Sequence, residues 1–344
     1  SVNFGSFLGS GSVRSHVKAM AQGAPSPAEL QRMREIVREA MKDGAFGLAS
    51  ALIYPPDSFV STDDLIALCR EMAPFGGVYI THMRSEGDQL LEAIDEAIRI
   101  GKESGVAVEI YHLKAAGKKN WNKAQAAIDK IAAARAGGQD VAADMYPYTA
   151  GGTGLTACLP PWAAADGKLF DNLADPATRA KIRQEVLQPT SDWENLGALA
   201  TPDNVLVLGV TKDSTRNYAG KPLAQIALDR NTDWIDTAMD LILAERQRIS
   251  TIYFLMSEDN VKLQLRQPWI KFGTDAGGHD PDKTAGLVHP RSYGTYPRIL
   301  GKYVRDEQVI PLEDAIRKMT SAVADRLAIR DRGLLREGLR ADVV

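Results

Sequence analysis

Two histidines of this chain stand in matching places. His82 closes the run Val78-Tyr79-Ile80-Thr81-His82, and His112 closes Val108-Glu109-Ile110-Tyr111-His112. Runs this rich in β-branched and aromatic residues read as strands, so each imidazole is expected at the C-terminal end of one. The two histidines are 30 positions apart, about the length of one strand–helix unit, which puts them on neighbouring strands of a parallel sheet. Neutral imidazole is the commonest metal ligand, and two of them facing one axis make a zinc-type pair. A third group belongs with them. Asp275 closes the run Ile270-Lys271-Phe272-Gly273-Thr274-Asp275, ahead of Ala276-Gly277-Gly278, where the backbone is free to turn sharply. A carboxylate there is expected to bind metal or to serve as general base to metal-bound water.

The elements that must hold these groups follow a repeating pattern. Short apolar runs at Val2 to Leu8, Phe46 to Ile53, Val78 to His82, Ala107 to His112, Val141 to Tyr146 and Ile270 to Asp275 alternate with amphipathic stretches. That alternation is the mark of strand–helix units around a parallel sheet. The helix expected over Pro27 to Lys42 has Ser26 as its N-cap, proline at the first helical position and Gly44 beyond its last turn. Ser61 to Ala73 and Gln89 to Ser104 are expected to be helical too; the second sets Leu91, Ile94, Ala97 and Ile98 on one face. From about Gly151 to Glu258 the rhythm changes, with helical patterns at Pro176 to Leu187 and Ile235 to Arg248 and strand-like runs at Val205 to Val210 and Thr251 to Met256. The chain therefore divides into a first barrel part (1–150), an insertion at the barrel mouth (151–258), and a last part with the final barrel strand, a mouth loop and C-terminal helices (259–344).

Composition narrows the partners. The chain has 344 residues, 44% hydrophobic and 25% charged, with 41 basic against 44 acidic residues and a net charge of -3. Basic residues are scattered, which leaves no electrostatic footprint for nucleic acid or an anionic membrane. No apolar run approaches the roughly 20 residues of a membrane span. Cys69 and Cys158 are the only cysteines, which points away from a disulfide framework and toward a reducing, cytoplasmic compartment. A small-molecule partner is expected; oligomeric state is not legible. Both ends look cut, since Ser1 starts without methionine and the chain stops at Ala341-Asp342-Val343-Val344, strand-like in character.

Five blocks carry a resemblance. Thr81-His82-Met83-Arg84-Ser85-Glu86-Gly87-Asp88, Tyr111-His112-Leu113-Lys114-Ala115-Ala116-Gly117, Asp144-Met145-Tyr146-Pro147-Tyr148-Thr149-Ala150-Gly151, Gly273-Thr274-Asp275 and His289-Pro290-Arg291-Ser292-Tyr293-Gly294-Thr295-Tyr296-Pro297-Arg298 follow one another along nearly the whole chain. In this order and spacing they resemble the N-acyl-D-amino-acid deacylase (D-aminoacylase) branch of the amidohydrolase superfamily. The resemblance implies a TIM-like (β/α)8 metal-dependent hydrolase barrel and zinc-dependent hydrolysis of the amide bond of N-acyl-D-amino acids. It implies that His82 and His112 bind zinc, that Asp275 shuttles the proton, and that Lys114, Tyr146 and Arg291 hold the substrate. Lysine and arginine would take up its carboxylate, which suits a point charge and a planar fork.

The chain departs from that pattern in three places. The His-x-His pair of the family's first strand and the zinc-binding cysteine of its second are absent, because the first block here, Val2-Asn3-Phe4-Gly5, resembles the third strand. Gly9-Ser10-Gly11 stands where the family commonly reads Gly-His-Gly. The flanking β-sandwich, built from both ends of the family's chain, is also absent. Of the other histidines, His16 lies in a polar stretch, while His279 and His289 flank a Gly-, Asp- and Pro-rich loop that could cover the mouth. Two other readings stay open. One is a hydantoinase- or dihydroorotase-like cyclic amide hydrolase, which the lack of a lysine in Gly47-Leu48-Ala49-Ser50-Ala51-Leu52 disfavours. The other is a non-catalytic barrel remnant that binds acylated amino acids or a protein partner.

Overall fold

A computed structural model describes residues 4–188, 192–284 and 286–342. The described residues form ten strands: β1 (Leu8–Gly9), β2 (Gly47–Ala51), β3 (Val78–His82), β4 (Ala107–Ile110), β5 (Val141–Met145), β6 (Ala150–Gly154), β7 (Val205–Val207), β8 (Lys221–Pro222), β9 (Ser250–Phe254) and β10 (Ile270–Phe272). Six of them pair in the order β1-β2-β3-β4-β5-β10, every pair parallel. Parallel neighbours need a crossover. Here helices α1 (Ser10–Lys18) and α2 (Pro27–Lys42) connect β1 to β2, α3 (Thr62–Arg70) connects β2 to β3, α4 (Leu90–Ser104) leads to β4 and α5 (Ala124–Ala136) to β5. The capping chemistry is local: Ser26 and Glu29 form a reciprocal capping box at α2, and Ser61 and Asp64 do the same at α3.

Side chains alternate across a strand. Tyr79, Val108, Ile110, Val141, Ala143, Met145, Ile270 and Phe272 therefore share the face that packs on the helices, in one apolar core with Val37, Leu65, Ile94 and Ile131. The intervening positions, Ile80, His82, Glu109, Asp144 and Lys271, point the other way. At the N-terminal end of that second face, Glu109 is buried between two cations. Its Oε2 accepts from Arg326 Nε at 2.8 Å, and its Oε1 lies 2.9 Å from Lys271 Nζ in a charge contact that lacks hydrogen-bond alignment. Arg326 comes from the helix Ser321–Arg326, so this contact ties the C-terminal region to the base of the sheet.

The remaining four strands form a separate antiparallel sheet in the order β6-β9-β7-β8. It has its own core, in which Leu155, Ile182, Val205, Leu223, Ile235, Met239 and Tyr253 pack together beneath the helices Pro176–Leu187 and Trp234–Glu245. No helix among the described residues is long and apolar enough to cross a membrane.

Four strands of the parallel sheet stop earlier than the apolar runs suggest: β2 at Ala51, β4 at Ile110, β5 at Met145 and β10 at Phe272. Beyond β4 and β10 the chain turns through positive φ, at His112 (33°) and at Asp275 (48°). A residue in that region cannot continue an extended ladder. At the N-terminus pairing begins at Leu8 rather than earlier, and Val2 and Asn3 lie outside the described residues.

Glu109→Ala would leave Lys271 and Arg326 without their buried counter-charge, which costs about 3–5 kcal/mol. Urea unfolding of the variant should show a loss of that size; a change below about 1 kcal/mol would mean that water screens the cluster.

Candidate active site

The C-terminal ends of β3, β4, β5 and β10 open into a cavity of about 1240 Å³, whose opposite wall is built by β6 and β9 of the second sheet. Six residues singled out in the sequence, His82, His112, Lys114, Tyr146, Asp275 and Arg291, all line it.

His82 is the last residue of β3. His112 sits two residues past β4, in the turn of positive φ, and its backbone N–H donates to Asp144 Oδ1 at 2.7 Å. That bond from the neighbouring strand fixes the turn and aims the ring inward. His82 Nδ1 and His112 Nε2 are 3.0 Å apart, with ring centroids 4.7 Å apart at 70°. Both rings are buried, and burial pulls the pKa of His82 down to about 3, so its ring is neutral and offers a lone pair. His82 Nε2 is buried and has no hydrogen-bond partner.

Glu86, quoted in the first sequence block but given no role there, completes the cluster. One of its oxygens is 2.9 Å from His112 Nδ1 and 2.5 Å from Lys114 Nζ, and the other is 3.7 Å from His82 Nε2. Burial opposes its charge, but His82, Lys114 and His112 outweigh that and hold its carboxyl well below the usual range. His82, Glu86 and His112 each present a ligand atom, all within 4.8 Å of one another. Lys114 lies 2.6 Å from His112 Nδ1. The ammonium has only donors, so at this distance Nδ1 accepts from Lys114, while Glu86 meets the ring in a charge contact.

A second carboxylate supports Glu86 from far along the chain. Glu194 Oε2 accepts from Ser85 Oγ (2.8 Å), Glu86 N (2.6 Å) and Gly87 N (2.8 Å), clamping the turn that carries Glu86. Burial foremost, then the charge of Glu86, pushes its pKa up to about 7. A partner more than a hundred residues downstream leaves no local pattern to read.

Across the cavity, Asp275 Oδ2 lies 2.6 Å from Arg291 Nη1, and the Asp275 side chain is 39% exposed. The contact is off the line that a hydrogen bond requires, so Nη1 remains an unsatisfied buried donor. Arg291 Nη2 donates to the carbonyl of Gly152 on β6 at 3.0 Å, and the guanidinium lies 4.7 Å from the centroid of the Tyr146 ring. Tyr146 is buried edge-on to both His112 and His289. Of the groups expected to meet a substrate carboxylate, Lys114 is paired with Glu86 and Arg291 lies against Asp275. Cys69 is buried in α3 and Cys158 packs against Tyr253, away from the imidazoles; His16 and His279 are exposed.

The chain that forms this cavity is similar to known proteins over its whole length. The chain is 32% identical over 347 residues to the D-aminoacylase of Alcaligenes xylosoxydans xylosoxydans, covering 100% of this chain and 60% of that protein. It is 30% identical over 322 residues to the N-acyl-D-aspartate deacylase of the same organism, covering 93% and 54%. The solved structure of N-acyl-D-glutamate deacylase from Bordetella bronchiseptica, complexed with zinc and a phosphonate mimic of the tetrahedral intermediate, superposes with a TM-score of 0.79 at 28% identity, covering 99% of this chain and 61% of that one. The chain is similar to the D-aminoacylases in both sequence and fold. It spans about 60% of the length of the D-aminoacylase it matches. No protein-family model matches it.

One histidine of the fifth block acts on the position of Arg291. His289 Nε2–H donates to the carbonyl of Ala150 at 2.9 Å, and Nδ1 accepts the backbone N–H of Arg291 at 3.0 Å. Burial, then the charge of Arg291, lowers its pKa to about 4. Unfolded histidine titrates near 6.5. Between pH 6.5 and about 4 the unfolded chain thus binds a proton that the folded chain does not, and stability falls as pH drops through this window. Glutamine preserves one donor and one acceptor without titrating. Thermal melts at pH 7 and pH 5 should show a smaller acid-induced fall for His289→Gln than for the parent protein; identical falls would assign the pH dependence to other groups.

Proposed function

We propose that the protein to which this chain belongs hydrolyses the amide bond of N-acyl-D-amino acids, releasing a carboxylic acid and a D-amino acid, with zinc held by His82 and His112. The observation that carries the reading is the pair of buried imidazoles with nitrogens 3.0 Å apart, one of them neutral with an orphaned buried Nε2, in a cavity that also holds Asp275 and Arg291. An orphaned buried nitrogen is costly unless a proton or a cation meets it. The donor set therefore fits a zinc ion, with Glu86 either behind His112 or alongside as a further ligand. When bound, zinc supplies Lewis acidity, polarising a carbonyl and lowering the pKa of water toward about 7.

The chain's own groups divide the remaining work. Lys114 donates to both His112 Nδ1 and Glu86 and so fixes the direction of the ring. Lys114 neutralises Glu86, so a carboxylate can stay charged in this buried place. Asp275, partly exposed at the cavity, takes the proton of the attacking water and delivers it to the leaving nitrogen. Arg291 offers its guanidinium to the substrate's carboxylate, and the Tyr146 ring lies 4.7 Å beneath it. The D preference rests on the likeness to the deacylases.

The six parallel strands and the superposition on the glutamate deacylase support a TIM-like (β/α)8 barrel, with two strands and the flanking β-sandwich supplied by sequence beyond this chain. In that architecture residues 151–258 are an insertion at the mouth. A cyclic-amide hydrolase with a carbamylated lysine is not favoured, since β2 has no lysine.

Asp275→Asn in the zinc-loaded full-length protein should retain its zinc and lose about 10²–10⁴-fold in kcat on N-acetyl-D-amino acids; near-normal turnover would remove Asp275 from the proton transfer. Replacing His82 by Ala should lower the zinc content measured by atomic emission, and chelation should abolish hydrolysis until zinc is restored. Full zinc content in His82→Ala would refute the ligand assignment, and a parent protein that takes up no zinc would favour a binding role without catalysis.

A further inference from the structure

The wall of the cavity opposite the imidazoles is a glycine-bearing strand, and two arginines lie along it. Gly152 and Gly154 of β6 are two residues apart, so they share one face of the strand at a separation of roughly 6.6 Å. A Cβ at Gly152 would come within 3.5 Å of Arg291 Nη2, and a Cβ at Gly154 within 3.5 Å of Arg248 Cγ and 3.6 Å of its Nε. The missing side chains leave room for both. Arg291 arrives from the helix Arg291–Arg298, and Arg248 from the residues just before β9.

Their surroundings differ. Lys114 and Arg291, the other lysine or arginine side chains lining the cavity, are matched to Glu86 and Asp275. Arg248 lines the same cavity and, among the described residues, is in neither an ion pair nor a side-chain hydrogen bond. The carboxylates nearer the floor have partners: Asp57 takes Ser10 Oγ and Ala51 N, and Asp144 takes His112 N.

We infer that Arg248 forms a side-chain subsite that selects N-acyl-D-amino acids carrying a second carboxylate, of aspartate or glutamate length. This rests on the deacylase reading, in which Arg291 takes the α-carboxylate. The two carboxylate carbons of an acidic amino acid are three or four carbon–carbon bonds apart, roughly 4–5 Å. Arg248 lies one step beyond Arg291 along that glycine face, so with the α-carboxylate on Arg291 the side chain of the amino acid extends along the strand toward Arg248. The second charge then meets a planar fork that gives up no existing partner.

The test uses the zinc-loaded full-length protein and its Arg248→Met and Arg248→Lys variants. The substrates are N-acetyl-D-glutamate, N-acetyl-D-aspartate, N-acetyl-D-methionine and N-succinyl-D-methionine, the last carrying its extra carboxylate on the acyl arm. The ratio of kcat/KM for an acidic substrate to that for N-acetyl-D-methionine should fall by about 10- to 100-fold in Arg248→Met, the size expected for losing a charged hydrogen-bonded contact, and by less in Arg248→Lys. Titration calorimetry with N-acetyl-D-glutamate should show the matching loss of binding. An unchanged ratio and unchanged binding would overturn the subsite while leaving the deacylase reading intact. A loss confined to N-succinyl-D-methionine would also overturn it, by moving the contact to the acyl arm. If the parent protein hydrolyses none of the four, the deacylase reading fails, and calorimetry alone decides Arg248.

Discussion

The arrangement depends on a buried carboxylate. Glu86 is 3% exposed, and it touches both imidazoles and the ammonium of Lys114. Stripping water from a carboxylate and an ammonium costs several kcal/mol each, and the pair recovers this only when charge and hydrogen bonds are matched. That requirement sets the distances in the cluster. It also accounts for Glu194, which uses one oxygen to hold Ser85 and the two backbone N–H groups of the turn, so that Glu86 cannot swing out to solvent.

The parallel sheet supplies the frame. Its helix-facing side is apolar and its other side carries the polar groups, so one alternation decides both stability and chemistry. At the base of the polar side, Glu109 between Lys271 and Arg326 holds β4, β10 and the last helix together. At the rim, the turns at His112 and Asp275 leave the ladder through positive φ and redirect their side chains into the cavity. Residues in that region carry strain, which the surrounding packing has to sustain.

The second sheet is part of the site rather than an ornament on it. Arg291 reaches across to the Gly152 carbonyl, His289 to that of Ala150, and Glu194 back to the Glu86 turn. Each bond joins residues more than a hundred positions apart. The cavity therefore exists only when both sheets are in place, and its two walls differ: the parallel rim presents imidazoles and carboxylates, and arginines from neighbouring segments lie along the glycine strand.

Much of this was legible in residue order alone. The limits of α2 and β3 follow from a capping box, a first-turn proline and an unbroken β-branched run, all of which are local signals. The spacing of His82 and His112, and the glycines after Asp275, pointed to the right rim because parallel strand–helix units repeat with a fixed length. The positive-φ turns, the pairing that takes Lys114 away from open solvent, the part played by Glu86 and the clamp of Glu194 were decided by tertiary structure. The reason is physical: whether a charge is free or matched depends on which groups meet it once water has been excluded, and those groups come from segments whose separation along the chain carries no periodic trace.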